Sequence, residues 1–267
     1  MIQTLTDMSD EELKKLIKLS VTDIENIGND YRTMQKILGF REENVHKDYF
    51  QKSLLVYPEM IRDKYSRDVL RDCKNSLVRN AKAAKFAVNG KYTFVLPDMY
   101  AFCEWLFLHI EKPLGILRNG EVSCNLYPDG KELDCLRSPH LYREHCVRKN
   151  VVNEETKKWF VDKSIYTSTY DLISKILQFD CDGDTLLVIR DNLFCKIAKR
   201  NCKNIVPLYY EMKKAPAQLL NNEVMLGGME AAWKAPDIGL YSNLITKIWN
   251  SADPEETKLE VIKLLCM

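Results

Sequence analysis

Three carboxylates at alternate positions, Asp180, Asp182 and Asp184, are the residues of this sequence best suited to chemistry. They stand in the run Gln178-Phe179-Asp180-Cys181-Asp182-Gly183-Asp184-Thr185-Leu186-Leu187-Val188-Ile189. In an extended or tightly turned backbone, side chains at this spacing can converge on one point. Left together without a cation they would repel, each raising its neighbour's pKa. A hard divalent ion removes that conflict, and an all-oxygen donor set suits Mg²⁺, or Mn²⁺ in its place. Gly183 permits a bend that a β-carbon would obstruct. The apolar residues on either side are expected to fix the loop between two buried strands. Two rival readings are a polar surface turn and a calcium loop. An EF-hand needs Gly at its sixth position and Glu at its twelfth, where this run has Thr185 and Asp191.

Upstream lies a basic segment, 136–150, with Arg137, Arg143, Arg148 and Lys149 against the single acid Glu144. Such a strand-turn beside an acidic metal loop is what phosphoryl transfer on a nucleotide requires. The cations would hold phosphates or sugar, and the metal would neutralise charge at the reacting phosphorus. The rival reading is a solvated turn with ordinary surface arginines. His140 and His145 lack partners at ligand spacing for a transition metal.

The elements that must position these residues follow from pattern. Residues 1–88 read as helical. Ser9 and Glu12 have capping-box spacing, Gly39 is placed to end a second helix, and Pro58 to start a third. The texture changes at Asn89-Gly90. Strand-like runs follow at Tyr92–Leu96, Val122–Tyr127, Glu132–Leu136, Thr185–Ile189 and Ile205–Tyr210, the last placed at an edge by Pro207. Asn192–Lys203 reads as a short helix, and 216–267 as helical again, running to Met267 with no stop signal, as in a truncated segment. Strands separated by loops and short helices suggest a compact barrel, with a domain at 89–215.

Composition bounds the rest. A formal net charge of +1 means that any nucleic-acid contact must come from locally concentrated basic residues. Nine cysteines with no C-x-x-C pair argue against a zinc ribbon or a secreted disulfide framework, and point to a reducing, cytoplasmic setting. The longest apolar stretch, Met99–Ile110, contains Glu104 and is too short for a membrane span.

Taken together, the motifs resemble a family. Arg137-Ser138-Pro139-His140-Leu141-Tyr142-Arg143 is similar to the Arg-x-Pro-x-Leu-His-Arg stretch in the large catalytic subunit of cellular RNA polymerases. Asp180-Cys181-Asp182-Gly183-Asp184 is similar to the Asp-Phe-Asp-Gly-Asp loop of that subunit. The closer resemblance is to RNA-dependent RNA polymerases of the gene-silencing class and their single-chain phage and bacterial relatives. Gly115-Ile116-Leu117-Arg118-Asn119-Gly120-Glu121-Val122-Ser123-Cys124 fits their Gly-x-Leu-x-x-Gly-Glu-Val segment, and Asp237-Ile238-Gly239-Leu240-Tyr241-Ser242-Asn243 a later helical one.

The resemblance implies an α+β chain with a double-psi β-barrel, in which Asp180, Asp182 and Asp184 hold the catalytic Mg²⁺. It also implies that Arg137 contacts the nucleotide sugar, with RNA or DNA as template and nucleoside triphosphates as substrates. A second barrel, on the same longer chain or another, would bring lysines that hold phosphates. The alternative is a non-catalytic nucleic-acid-binding barrel. Tyr142 stands where the family has His, and Arg143-Glu144-His145 where the silencing class has Pro-Gly-Asp.

Overall fold

The structure, a computed structural model, describes residues 5, 7–138, 144–203, 216–234 and 238–266. The chain divides into two compact units, Met8–Asn89 and Met1–Asp7 with Gly90–Met267.

The smaller unit is helical: α1 (Asp10–Asn26), α2 (Tyr31–Leu38), α3 (Tyr49–Val56), a 3₁₀ turn (Pro58–Arg62) and α4 (Lys64–Lys82). Local chemistry sets its boundaries. Ser9 and Glu12 form the reciprocal capping box at the start of α1. Gly39 ends α2 at φ 74°, the left-handed conformation a glycine adopts without steric cost. Pro58 opens the 3₁₀ turn rather than the long helix, which starts only after Asp63. Ile27, Leu38, Phe40, Leu54, Ile61 and Leu70 form the core of this unit.

The larger unit holds β1 (Gly90–Pro97), α5 (Met99–Leu108), β2 (Glu121–Cys124), β3 (Glu132–Leu136), β4 (Cys146–Asn150), α6 (Glu154–Trp159), β5 (Ile165–Thr167), α7 (Ile173–Leu177), β6 (Thr185–Ile189), α8 (Asn192–Asn201), α9 (Asn222–Lys234), α10 (Ile238–Trp249) and α11 (Glu255–Cys266). The six strands close into a barrel in the order β1-β5-β2-β4-β3-β6. β1 runs parallel to β5 and β2 to β4, and every other pairing is antiparallel. The molecule is therefore an α+β protein built on a double-psi β-barrel. Val95, Val122, Cys124, Leu133, Cys135, Cys146, Ile165, Leu186 and Val188 fill the barrel, and closure leaves none of the six described strands with a free edge.

β3 and β6 match their expected spans. β2 is shorter than expected, because the chain turns after Cys124. There the side chain of Asn150 accepts from the Cys124 N–H at 2.8 Å and donates to the Tyr127 carbonyl at 3.0 Å. β4 and β5 were not anticipated as separate strands. The strand expected at Ile205–Tyr210 lies outside the described residues. No described helix is long and apolar enough to cross a membrane.

Candidate metal and nucleotide site

The acidic bend leaves the barrel between α7 and β6, so one flank is a helix rather than the expected strand. Its anchors are buried. Phe179 enters the barrel core on one side, and Leu186 on the other is fully buried. Gln178 turns the chain out of α7 at φ 53°. Gly183 has φ +127°, and nothing lies within 4 Å of where its β-carbon would stand. The glycine is needed there for backbone conformation, not for space. The Asp184 carbonyl accepts the Val95 N–H at 3.1 Å, which pins the end of the bend to β1.

Arg137, the residue after β3, closes over this bend. One guanidinium nitrogen lies 3.0 Å from Asp184 Oδ2, and another donates to the Gln178 carbonyl. A single side chain thus holds both ends of the acidic loop. Asp184 Oδ2 also accepts the Asp180 N–H at 3.1 Å. Both partners of the ion pair are about a quarter exposed, at 29% and 26%, so the pair itself contributes at most about 1 kcal/mol. Asp180 and Asp182 are exposed, and no hydrogen bond or ion pair engages either carboxylate among the described residues. The exposed Cys181 thiol is pushed up by desolvation within the bend and then by the charges of Asp180, Asp182 and Asp184. All three carboxylates are therefore near enough for that thiol to feel them.

Among the described residues, no three His, Cys, Asp or Glu side chains converge in a geometry that holds a metal ion. The donors themselves fit a hard divalent cation: three carboxylates on one bend, two of them open to solvent. Asp184 Oδ2 is engaged by Arg137 and the Asp180 N–H, whereas the Asp180 and Asp182 side chains are exposed.

The other two arginines have different fates. Arg143 lies outside the described residues. Arg148, on β4, is committed to Asp171: Nε and Nη2 each lie 2.7 Å from one carboxylate oxygen, and Nη1 donates to the Val147 carbonyl. Its side chain is 17% exposed and that of Asp171 is 0% exposed. Asp171 also accepts the N–H groups of Gly120 at 2.6 Å and Ile173 at 2.7 Å. Arg148 as placed is thus a partly buried strut whose Nε and Nη2 are both taken up by Asp171.

Sequence reasoning missed this strut and a second one. The fully buried Asp98 caps α5 through the N–H groups of Tyr100 and Ala101. Its other oxygen accepts those of Ile116 and Leu117 at 2.6 and 2.8 Å. Asp98 and Asp171 between them tie down the 115–120 loop. That explains its glycines: Gly115 has φ +67° and a β-carbon there would meet Asp98 Oδ2 at 2.5 Å, and Gly120 has φ +84°. A third missed pair is buried beneath α8. His145 Nδ1 lies 2.7 Å from Asp134 Oδ2, both side chains fully buried, with the Phe194 ring 5.9 Å from the imidazole. His145 is thus the buried partner of a carboxylate. The only signals for these partners were lone acids in apolar surroundings.

A closed double-psi barrel with an arginine-clamped acidic bend at its rim defines the class in which comparison is informative. No family model matches the chain. Over 268 aligned residues covering all of it, the chain is 49% identical to the DNA-directed RNA polymerase YonO of Bacillus phage SPbeta. Identity at that level along the whole chain marks the two as homologues, as the motif resemblance implied. The chain spans 31% of that relative's length. Among solved structures, the RNA-dependent RNA polymerase QDE-1 from Thielavia terrestris superposes with a TM-score of 0.49 at 12% identity, over 99% of this chain and 29% of that one.

Proposed function

We propose that this chain is the catalytic barrel of a template-directed RNA polymerase, one part of a longer or split enzyme that transfers nucleoside monophosphates from nucleoside triphosphates to an RNA 3′-hydroxyl and releases pyrophosphate. The observation that carries the reading is Arg137 spanning an acidic bend at the barrel rim, in a chain homologous to a phage RNA polymerase. The name of that relative favours DNA as template.

In this reading Asp180, Asp182 and Asp184 hold Mg²⁺ or Mn²⁺. When bound, the ion supplies charge neutralisation at the reacting phosphorus and lowers the pKa of the attacking hydroxyl. Arg137 holds the bend in shape and, shared between Asp184 and the incoming nucleotide, orients the ribose. Arg143 contributes a further phosphate contact. Arg148 acts through Asp171, keeping β4 and the 115–120 loop in register with the bend. Residues 89–215 form the working domain, flanked by helical segments 1–88 and 216–267. Phosphate-holding lysines come from a second barrel.

A non-catalytic nucleic-acid-binding barrel is favoured by one observation, the lack of convergence among the three carboxylates. Mn²⁺ binding followed by electron paramagnetic resonance separates the two. A catalytic barrel binds Mn²⁺ at the bend, and Asp182→Asn weakens binding by about tenfold or more, the scale of one lost charged contact. A longer polymerase containing this segment then loses primer extension with the same substitution. Unchanged Mn²⁺ affinity and unchanged extension in Asp182→Asn refute the assignment.

A further inference from the structure

The longest apolar stretch of the sequence folds as a helix, α5, that has neighbours on one side only. Between Met99 and Ile110 the one charged residue is Glu104. A helix apolar around its whole circumference is ordinarily buried. The packed side of α5 is small. Ala101 is buried, Met99 joins the cluster of Leu117, Phe160 and Tyr166, and Glu104 accepts the Gly115 N–H at 2.9 Å. The helix thus directs its one carboxylate toward its own unit and leaves carbon outside.

Phe102, Trp105 and Leu106 stand at i, i+3 and i+4, the spacing that puts side chains on one face of a helix. All three are exposed, and the Phe102 and Trp105 rings lie 6.2 Å apart, so the face is continuous. Phe107 and Leu108 in the last turn are exposed too, and apolar surface wraps the C-terminal end of α5. Single exposed apolar residues are normal on a monomer, but a contiguous group marks an interaction surface.

Chemistry narrows what covers this face. No Lys or Arg occurs between Tyr92 and Glu111, so α5 and its flanks supply no cation to hold the phosphates of a nucleic acid. A helix lying on a lipid surface needs a cationic polar face, which α5 lacks. All six described strands are paired within the closed barrel, so none offers an edge for strand addition. What remains is close packing against an apolar protein surface. Length indicates its source: the whole chain, α5 included, aligns with 31% of a polymerase to which it is 49% identical.

We propose that this face of α5, formed by Phe102, Trp105, Leu106 and Phe107, is the seam at which the barrel unit packs against another part of the longer polymerase. The inference rests on the reading of this chain as one part of a larger enzyme, and not on the metal bend.

Hydroxyl-radical footprinting read by peptide mass spectrometry tests it on unaltered proteins, the chain alone and a longer polymerase that contains it. In the chain alone Trp105, 55% exposed, and Phe107, 70% exposed, should be oxidised readily. In the longer polymerase the oxidation of both should fall by about fivefold or more, the ratio between a half-exposed ring and a buried one. Trp105→Lys/Phe107→Lys adds a second readout. Because both rings are exposed, the urea midpoint of the chain alone should stay within about 0.3 M of the parent. The longer polymerase carrying the same pair should regain oxidation at Phe102. Equal oxidation of Trp105 in the two unaltered proteins, or protection already complete in the chain alone, overturns the proposal. So does a dimer of the chain alone, seen by sedimentation velocity, that Trp105→Lys abolishes, since a second copy would then occupy the face. A longer polymerase that extends primers normally with Asp182→Asn while Trp105 stays protected refutes the catalytic assignment alone. One that loses extension with Asp182→Asn while Trp105 stays exposed refutes this seam alone.

Discussion

Replacing Asp171 by asparagine should unfold the barrel unit at markedly lower denaturant. The carboxylate is fully buried and accepts four bonds of 2.6–2.7 Å, two from the Arg148 guanidinium and one each from the Gly120 and Ile173 N–H groups. An asparagine has one acceptor oxygen. Its amide would face two of those four donors and leave a mostly buried guanidinium without a counter-charge. Breaking one side of a buried ion pair costs about 3–5 kcal/mol. The residual exposure of Arg148 argues for the lower end, about 3 kcal/mol.

All four tryptophans, Trp105, Trp159, Trp233 and Trp249, belong to the larger unit, so tryptophan fluorescence follows its unfolding without interference from the helical unit. With a urea slope of about 2–3 kcal/mol/M, the midpoint should fall by roughly 1–1.5 M. Arg148→Met added to Asp171→Asn should recover part of the loss, with a coupling of about 2 kcal/mol or more. A midpoint shift of under about 0.3 M, or two single effects that simply add, would show that the pair is not the strut described here.

Three further outcomes follow from other parts of the molecule. Gly115→Ala and Gly130→Ala both place a β-carbon at positive φ, but only the first meets a neighbour, the buried Asp98 carboxylate at 2.5 Å. Gly130→Ala should cost about 1–2 kcal/mol in urea unfolding and Gly115→Ala clearly more, and equal costs would contradict the steric account. Burial pushes the thiols of Cys146 and Cys195 up to about 12 from an ordinary 9.0. The unfolded chain therefore sheds those protons first, and this stabilisation, complete below about pH 9, is lost as pH rises toward 12. The urea midpoint should fall across pH 9–11 and fall less in Cys146→Ala/Cys195→Ala; identical slopes would refute the assignment. At the bend, the three aspartates help to raise Cys181. Mn²⁺ bound there should speed alkylation of Cys181 by iodoacetamide at pH 8, measured by peptide mass spectrometry, because neutralised carboxylates no longer disfavour the thiolate. In Asp182→Asn the metal-free rate should already be higher and the response to Mn²⁺ smaller. A rate indifferent to both would remove the bend from the list of metal sites.

Features set by near neighbours in the chain were open to reading from the residues alone. The Ser9–Glu12 capping box, the Gly39 stop, β3, β6 and the acidic bend itself depend on chemistry within a few positions. The resemblance to a polymerase family likewise came from short motifs whose residue types carry their own meaning. β4, Cys-Val-Arg-Lys-Asn, and β5, only three residues long, have no alternation strong enough to announce a strand, and become strands because the closed barrel supplies partners on both sides.

The pairings that hold the site together join residues far apart in sequence: Arg137 with Gln178 and Asp184, Arg148 with Asp171, Asp98 with Ile116 and Leu117. Sequence alone left Arg148 looking like a phosphate ligand, since an arginine's type states only that it needs an anion. Whether that anion is a substrate or a buried aspartate is decided when the fold excludes water and chooses the neighbour.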